Sequence, residues 1–251
     1  MLNRLFFLIV CLFVIGHIYY YLKVKVQLDK LDMGYVNNFK RFDKIIKLKQ
    51  PFKFKMDNYY ELDSFIKNKN EYINVSTQKI KIGKIKAHLE KQTKQYSDNN
   101  DDYIEEKIDI NEKMIITPKL KIKNMYDLII GSNESVYPIK LQLCDVFALN
   151  IISGKCKITL LSPNNKFNVM KSKNCLEFTI NNKEAKSGKY ITYILNKGDH
   201  LSVPPHWFIK IDFMELSYII TQGYHTPFSI MANTPKYIKH YIETYKDKKQ
   251  Q

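Results

Sequence analysis

The chain has 251 residues, of which 45% are hydrophobic and 13% are aromatic. These fractions exclude a disordered chain, which could not bury enough apolar surface to fold. Eight glycines and eight prolines exclude collagen-like and Gly/Pro-rich low-complexity proteins, and four cysteines exclude a disulfide-framework protein. The length suits one sizeable domain with appendages, or two small domains.

The net charge of +15 at first suggests nucleic-acid binding. Only Arg4 and Arg41 among the 40 basic residues are arginines, however, and arginine is the side chain that binds phosphate and guanine in a bidentate way. Charge alone supports only non-specific attraction. We therefore favour a solvated lysine surface over nucleic-acid binding, and keep a basic membrane-surface adaptor as one alternative function.

An uncharged apolar segment, residues 5–22, predicts a membrane-spanning helix near the N-terminus. It would be about 27 Å long, close to the ~30 Å hydrocarbon core of a bilayer. A signal peptide is the alternative, but His17 and three tyrosines stand where a cleavage site needs small residues. The lysines of residues 23–30 outweigh Arg4 on the other flank, which favours a single-pass protein with a cytosolic C-terminal domain.

The rest of the chain divides by composition. After the anchor (1–22) comes a Lys-rich juxtamembrane stalk (23–50), whose lysines would be attracted to an anionic lipid surface. A mixed α/β region with an acidic stretch follows (51–113). Short apolar or alternating runs separated by turn-like clusters then predict the many strands of a sandwich or barrel (114–230), before a C-terminal helix and tail (231–251).

Two local patterns give predictions for single elements. Residues 79–86 alternate lysine and isoleucine, which predicts a strand interrupted at Gly83. Thr234 suits the N-cap of the C-terminal helix and Pro235 its first position. The apolar side chains of this helix recur at helical spacing, in a stripe that packs either on the barrel or on a second copy in a homodimer: Tyr237, Ile238, Tyr241, Ile242 and Tyr245.

Two segments of the β region carry a specific pattern. Residues 147–163 run from one strand through a Gly-Lys turn into a second strand that ends in proline, and residues 197–208 make a Gly-Asp turn into a strand followed by Pro-Pro-x-Trp. Together they resemble the cupin-like JmjC family, which includes an asparaginyl hydroxylase. The resemblance implies a mainly β fold, a double-stranded β-helix of two sheets, over roughly residues 115–230. The residues that carry it are Gly154, Pro163, Gly198, Asp199, Pro204, Pro205 and Trp207.

Active members of the family bind Fe(II) through a His-x-Asp/Glu pair and a distal His, and leave coordination positions for 2-oxoglutarate and oxygen. The resemblance places the pair on Leu141 and Leu143, or one residue earlier on Lys140 and Gln142, and the distal His on Ile209. Leucine and isoleucine cannot coordinate iron. We expect these apolar side chains to fill the site and to exclude water and metal.

The sequence therefore predicts a membrane-anchored, catalytically silent cupin/JmjC-like protein that acts as a binding or scaffold module without a cofactor. The lysine that binds 2-oxoglutarate in the family is also replaced, by Cys156. The enzymatic alternative is an Fe(II)/2-oxoglutarate-dependent hydroxylase with relocated ligands. The candidates for such ligands are His206, His225 and Asp212.

Overall fold

The computed structural model describes residues 2–23, 49–55, 70–75, 78–92, 94–107, 120–163, 169–171, 178–180 and 190–249. Most of the predicted stalk and the end of the acidic stretch lie outside these residues. In the last helix the description of side chains ends at Ile238, so the Tyr241, Ile242 and Tyr245 part of the predicted stripe also lies outside it.

The described part of the chain is mainly β. Its helices are α1 (Leu2–Leu22), α2 (Ile82–Lys91), α3 (Asp101–Lys107) and α4 (Pro227–Lys249). The strands of the N-terminal region are β1 (Phe52–Lys55), β2 (Tyr72–Val75), β3 (Gln78–Lys81) and β4 (Tyr96–Ser97). The strands that follow are β5 (Lys123–Gly131), β6 (Val136–Leu141), β7 (Val146–Ser153), β8 (Lys155–Leu161), β9 (Val169–Lys171), β10 (Phe178–Ile180), β11 (Tyr190–Asn196), β12 (Asp199–Val203), β13 (Phe208–Phe213) and β14 (Ser217–His225).

These strands form two antiparallel sheets. The first has the order β1-β12-β7-β14-β5-β4-β2-β3, and the second has the order β11-β8-β13-β6-β10-β9. Strand β14 pairs with β5 on one side and β7 on the other, and all nine of its residues are buried. The N-terminal strands β2, β3 and β4 extend the first sheet beyond β5 rather than forming a sheet of their own.

Period-two alternation in the sequence directs side chains into the space between the sheets. In β8, Cys156, Ile158 and Leu160 are fully buried, while Lys157 between them is exposed. These side chains join a core of 16 buried residues that comes from both sheets and includes Trp207, which is 1% exposed. A second buried cluster lies where α2 and α3 pack on the outer part of the first sheet.

Two tight turns of the resemblance segments, each connecting one sheet to the other, require glycine. Gly154, between β7 and β8, has φ +87°, and Gly198, between β11 and β12, has φ +81°. Both values lie in the left-handed region that other residues adopt at a cost. A Cβ atom on Gly154 would also lie 2.3 Å from the Ser217 hydroxyl oxygen and 2.4 Å from the Leu216 carbonyl oxygen.

The last helix begins earlier than its sequence predicts. Pro227, not Pro235, takes the first helical position, and Pro235 lies inside the helix. The Ser229 backbone N–H bonds to the Thr226 hydroxyl at 3.3 Å, and the Thr226 N–H bonds back to the Ser229 hydroxyl at 3.0 Å. This reciprocal cap is a serine variant of the capping box, so the prediction of Thr234 as the N-cap is wrong.

Helix α2 also departs from prediction, since the alternating stretch 79–86 is a strand only as far as Lys81. Ile82, Ile85 and Leu89 then recur at helical spacing and are buried. The tertiary contacts of these three side chains override the local lysine–isoleucine alternation.

Helix α1 is long and apolar enough to span a membrane, as predicted for residues 5–22. Most of its side chains are exposed, and only its last turns pack on the rest of the protein. Phe13 and His17 lie against Phe228 of α4, with ring centroids 6.0 and 4.4 Å apart.

The Gly154 turn gives a first testable prediction. We expect Gly154→Ala to lower the free energy of unfolding by about 2 kcal/mol or more, because the residue must keep a positive φ and its Cβ would overlap Leu216 and Ser217. The urea midpoint, followed by Trp207 fluorescence, measures the loss. Gly16→Ala is the control, since a Cβ on Gly16 meets no atom within 4 Å. Equal urea midpoints for the two variants would contradict the requirement for glycine at position 154.

Candidate functional site

A cavity of about 410 Å³ lies between the two sheets. Residues of β5, β7 and β14 line one side of it and residues of β6 and β13 the other, while α4 contributes Ile230 and Tyr237. Its size falls within the range of small-molecule sites in proteins. The 16-residue core adjoins the cavity and shares part of its wall, through Ile129 of β5, Leu149 of β7 and Ile209 of β13 among others.

The three residues at the family's ligand positions meet at this cavity. Leu141 at the end of β6, Leu143 just after it and Ile209 on β13 all line the wall. β6 and β13 are neighbours, and Ile209 pairs with Lys140. The expectation that the apolar side chains fill the site is wrong, because leucine and isoleucine leave a cavity between the sheets.

The alternative register also reaches the cavity, because Lys140 and Gln142 line it too. The Lys140 ammonium lies 2.9 Å from the Asp98 carboxylate and 4.4 Å from the centroid of the Tyr137 ring. Gln142 is 8% exposed, and its side-chain oxygen accepts the Leu143 backbone N–H at 2.8 Å. Its amide nitrogen has no hydrogen-bond partner among the described residues.

Asp127 on β5 places a half-buried carboxylate in the cavity wall. It accepts the backbone N–H groups of Asn99 at 3.1 Å and Asn100 at 2.7 Å. Burial raises its pKa to about 6, and the two N–H groups oppose that shift. The sequence analysis missed Asp127, although a carboxylate immediately before the buried apolar run Leu128–Ile130 was the available signal.

The three proposed substitute ligands are placed apart. His225 lines the cavity, with one ring nitrogen 3.5 Å from the Cys144 sulfur and the other 3.3 Å from the Ser229 hydroxyl. His206 and Asp212 are not among the residues that line the cavity. The Asp212 carboxylate is paired with Lys210, at 2.5 Å.

His206 packs instead against the end of α1. Its ring centroid lies 4.9 Å from that of Tyr21, and its backbone has a φ of +72°. The turn that carries it is tied to the end of β6, because the His206 N–H donates to the Gln142 carbonyl and the Gln142 N–H donates to the Trp207 carbonyl. The Pro-Pro-x-Trp segment therefore holds the rim of the cavity in place.

The remaining resemblance residues are structural. Asp199 is fully buried; its carboxylate accepts the Asn196 N–H at 2.8 Å and pairs with Lys53 of β1 at 2.7 Å. Cys156, at the position of the family's 2-oxoglutarate lysine, is buried in the core, and burial raises the pKa of its thiol to about 12.

The end of α1 is bonded to the wall of the cavity. The Tyr21 hydroxyl donates to the Leu143 carbonyl at 2.5 Å, and the Asn233 amide donates to the Tyr21 hydroxyl at 2.7 Å. The Lys49 ammonium donates to the last carbonyls of α1, those of Tyr20, Tyr21 and Lys23, which satisfies the helix C-terminus. Helix α1 thus ends beside the α4 end of the cavity.

The two described residues of the predicted α4 stripe have different surroundings. Tyr237 is half-buried and lines the cavity, whereas Ile238 is 53% exposed. The described part of the stripe therefore packs on this chain's own sheets through Tyr237. Ile238 stays available to a second copy, and the homodimer stays a prediction.

Comparison with known protein families and with curated proteins finds no match for this chain. Among the described residues, no group of three or more His, Cys, Asp and Glu side chains is placed to hold a metal ion. The function has to be argued from the cavity itself.

Two buried histidines that do not line the cavity make the stability of the fold depend on pH. Burial lowers the pKa of His200 to about 4, and a coulombic effect of Asp199 opposes this shift. Burial also lowers the pKa of His206 to about 4, and repulsion by Lys236 and Lys49 adds to that shift. Between these values and the ordinary 6.5, the unfolded chain binds more protons than the folded one, so stability falls as pH falls.

We expect each histidine to cost about 2 kcal/mol of stability between pH 7 and pH 5. Asp127 acts in the opposite direction, because a raised carboxyl pKa lets the folded state take up a proton first. Burial also lowers the pKa of His225, which adds to the loss of stability. Urea unfolding at pH 7 and pH 5 measures the net loss. His200→Gln removes one titrating ring and should reduce the loss of stability between pH 7 and pH 5. An unchanged loss in this variant would contradict the lowered pKa of His200.

Proposed function

We propose that the chain is a membrane-anchored cupin/JmjC-like binding module whose cavity takes an organic molecule in place of the iron of the related hydroxylases. The observation that carries the proposal is the meeting of Leu141, Leu143 and Ile209 at one cavity. Leu141 and Leu143 lie on and just after β6, whereas Ile209 lies far along the chain on β13, and the resemblance assigns all three to one site.

The strand order supports the double-stranded β-helix. Eight strands, β5 to β8 and β11 to β14, can be numbered one to eight along the chain. They then lie in the order 1-8-3-6 within the first sheet and 2-7-4-5 within the second. Cupins are eight-stranded double-sheet jelly rolls, and the order is consistent with that architecture.

The replaced side chains support a binding role over catalysis. Leucine and isoleucine offer no lone pair to a metal, while a mostly apolar cavity with a few polar groups is the usual form of a small-molecule site. The hydroxylase alternative would need a new set of ligands at the cavity. Of the three substitutes, His225 alone lines it, so the binding module accounts better for the residues present.

The membrane part of the proposal rests on α1, an apolar helix with exposed sides that suits a lipid environment. We place the sheets on the cytosolic side because lysines follow the span. This makes the chain a single-pass membrane protein with the cavity close to the end of its anchor.

The test compares metal binding by the wild type and by a variant with the family's ligands restored, Leu141→His/Leu143→Asp/Ile209→His. We expect the wild-type chain to bind no stoichiometric Fe(II) and to show no 2-oxoglutarate turnover. The variant should bind about one Co(II), seen as d–d absorption bands, because the three positions surround one space.

The matched control moves the same ligand types to positions away from the cavity, Met214→His/Ile194→Asp/Tyr190→His, all exposed in the wild type. It should bind no more Co(II) than the wild type. Circular dichroism checks that each variant is folded. Stoichiometric iron with 2-oxoglutarate turnover in the wild type would refute the proposal and restore the hydroxylase.

A further inference from the structure

The cavity has two chemically different ends. Lys123, Met125 and Asp127 all line it from β5, and the four-residue step from Lys123 to Asp127 is about 13 Å of strand. Lys123 pairs with His225, so it lies at the end that α4 borders. Asp127 lies at the other end, where it accepts backbone N–H groups from Asn99 and Asn100.

The α4 end offers a donor to a ligand. Gln142 lines the cavity and is 92% buried, and its amide nitrogen has no hydrogen-bond partner among the described residues. A buried donor without an acceptor costs roughly 1–3 kcal/mol, so an acceptor on a ligand would be favoured there. The side-chain oxygen is already used by the N–H groups of Leu143 and Cys144, which leaves the NH₂ group for the ligand.

The space between the two ends is apolar. Leu141, Leu149, Ile209 and Ile211 line it from three strands. An alkyl chain would bury its surface against these side chains, at about 25 cal/mol per Å² removed from water. The half-buried Asp127 carboxylate repels a second carboxylate at the far end, which favours the orientation with the head at the α4 end.

The cavity also adjoins the membrane anchor. Leu143 lines the cavity, and its carbonyl accepts the Tyr21 hydroxyl of α1. Asn233 of α4 bonds the same hydroxyl, while Ile230 and Tyr237 of α4 line the cavity. A molecule that leaves the bilayer along α1 reaches the cavity at the end that carries Gln142 and Lys123.

We propose that the cavity binds a long-chain carboxylate from the membrane, with its alkyl chain between the sheets and its head at Gln142 and Lys123. This rests on the proposed function, because it needs a cavity free of iron. It adds the class of the ligand, its orientation and its source. Lys123 brings a positive charge to the head without burial, since its side chain is exposed.

The experiment uses the full chain in lipid nanodiscs and cis-parinaric acid, a fluorescent long-chain carboxylate. Trp207 is the only tryptophan and belongs to the core beside the cavity, so energy transfer from it reports the bound probe. Wild-type protein should give saturable transfer above that of empty nanodiscs. The methyl ester of the probe should bind more weakly, because it has lost the charge that Lys123 meets.

Two variants place a repelling charge at the head. Gln142→Glu keeps an oxygen for the Leu143 N–H but replaces the amide donor by a carboxylate, and should weaken binding at least tenfold. Met125→Glu should do the same; Met125 lines the cavity yet is 43% exposed, so this variant folds readily. Met214→Glu is the matched control, at 45% exposed and away from the cavity, and should bind as the wild type does.

The outcomes separate this inference from the proposed function. Transfer that does not saturate, or equal binding by wild type, Met125→Glu and Met214→Glu, would overturn the long-chain carboxylate and leave the iron-free module standing. Stoichiometric iron in the wild type would overturn the proposed function whatever the probe does. Saturable binding lost in both cavity variants and kept in Met214→Glu establishes the ligand site.

Discussion

The packing of side chains between the two sheets determines both the core of this fold and its cavity. Among the described residues, a core of 16 buried side chains comes from both sheets and includes Trp207. Five members of this core also line the cavity of about 410 Å³, so the core forms part of the cavity wall: Ile129, Tyr137, Leu149, Ile209 and Ile211. A mostly apolar space of this size with a few polar groups has the form of a small-molecule site.

The resemblance involves two kinds of residue. Gly154, Gly198 and Asp199 belong to turns and buried pairs that hold the sheets together, and their roles need no ligand. Leu141, Leu143 and Ile209 line the cavity, and Ile209 is also part of the core. In the proposed binding module, the first kind would keep the sheets in place while the second kind would contact the ligand.

The sequence predicted those parts that depend on local pattern. Alternation gave the strands around the core, and glycine gave the turn at Gly154. The sequence-based prediction failed where tertiary contacts compete with local signals. Pro235 is typical of the first position of a helix, but the Thr226–Ser229 cap begins α4 eight residues earlier. The sequence did not predict the roles of Asp127 and of the unpaired Gln142 side-chain amide, since a single sequence does not show which polar side chain faces a cavity.

Helix α1 adds a geometric constraint to the membrane proposal. Phe13 and His17 contact Phe228 near the start of α4, and the residues before Phe13, Leu2 to Leu12, make about 16 Å of helix, roughly half of a bilayer core. Full insertion of α1 therefore either brings the start of α4 to the membrane or breaks the Phe13 and His17 contacts with Phe228.

The most direct test of the account is native mass spectrometry of the full chain, released from nanodiscs without prior exposure to added ligand. The account predicts a complex of the chain with one long-chain organic acid and no iron. The acid should be absent from Met125→Glu and present in Met214→Glu. A wild-type chain that carries iron, with no organic ligand, would contradict the account.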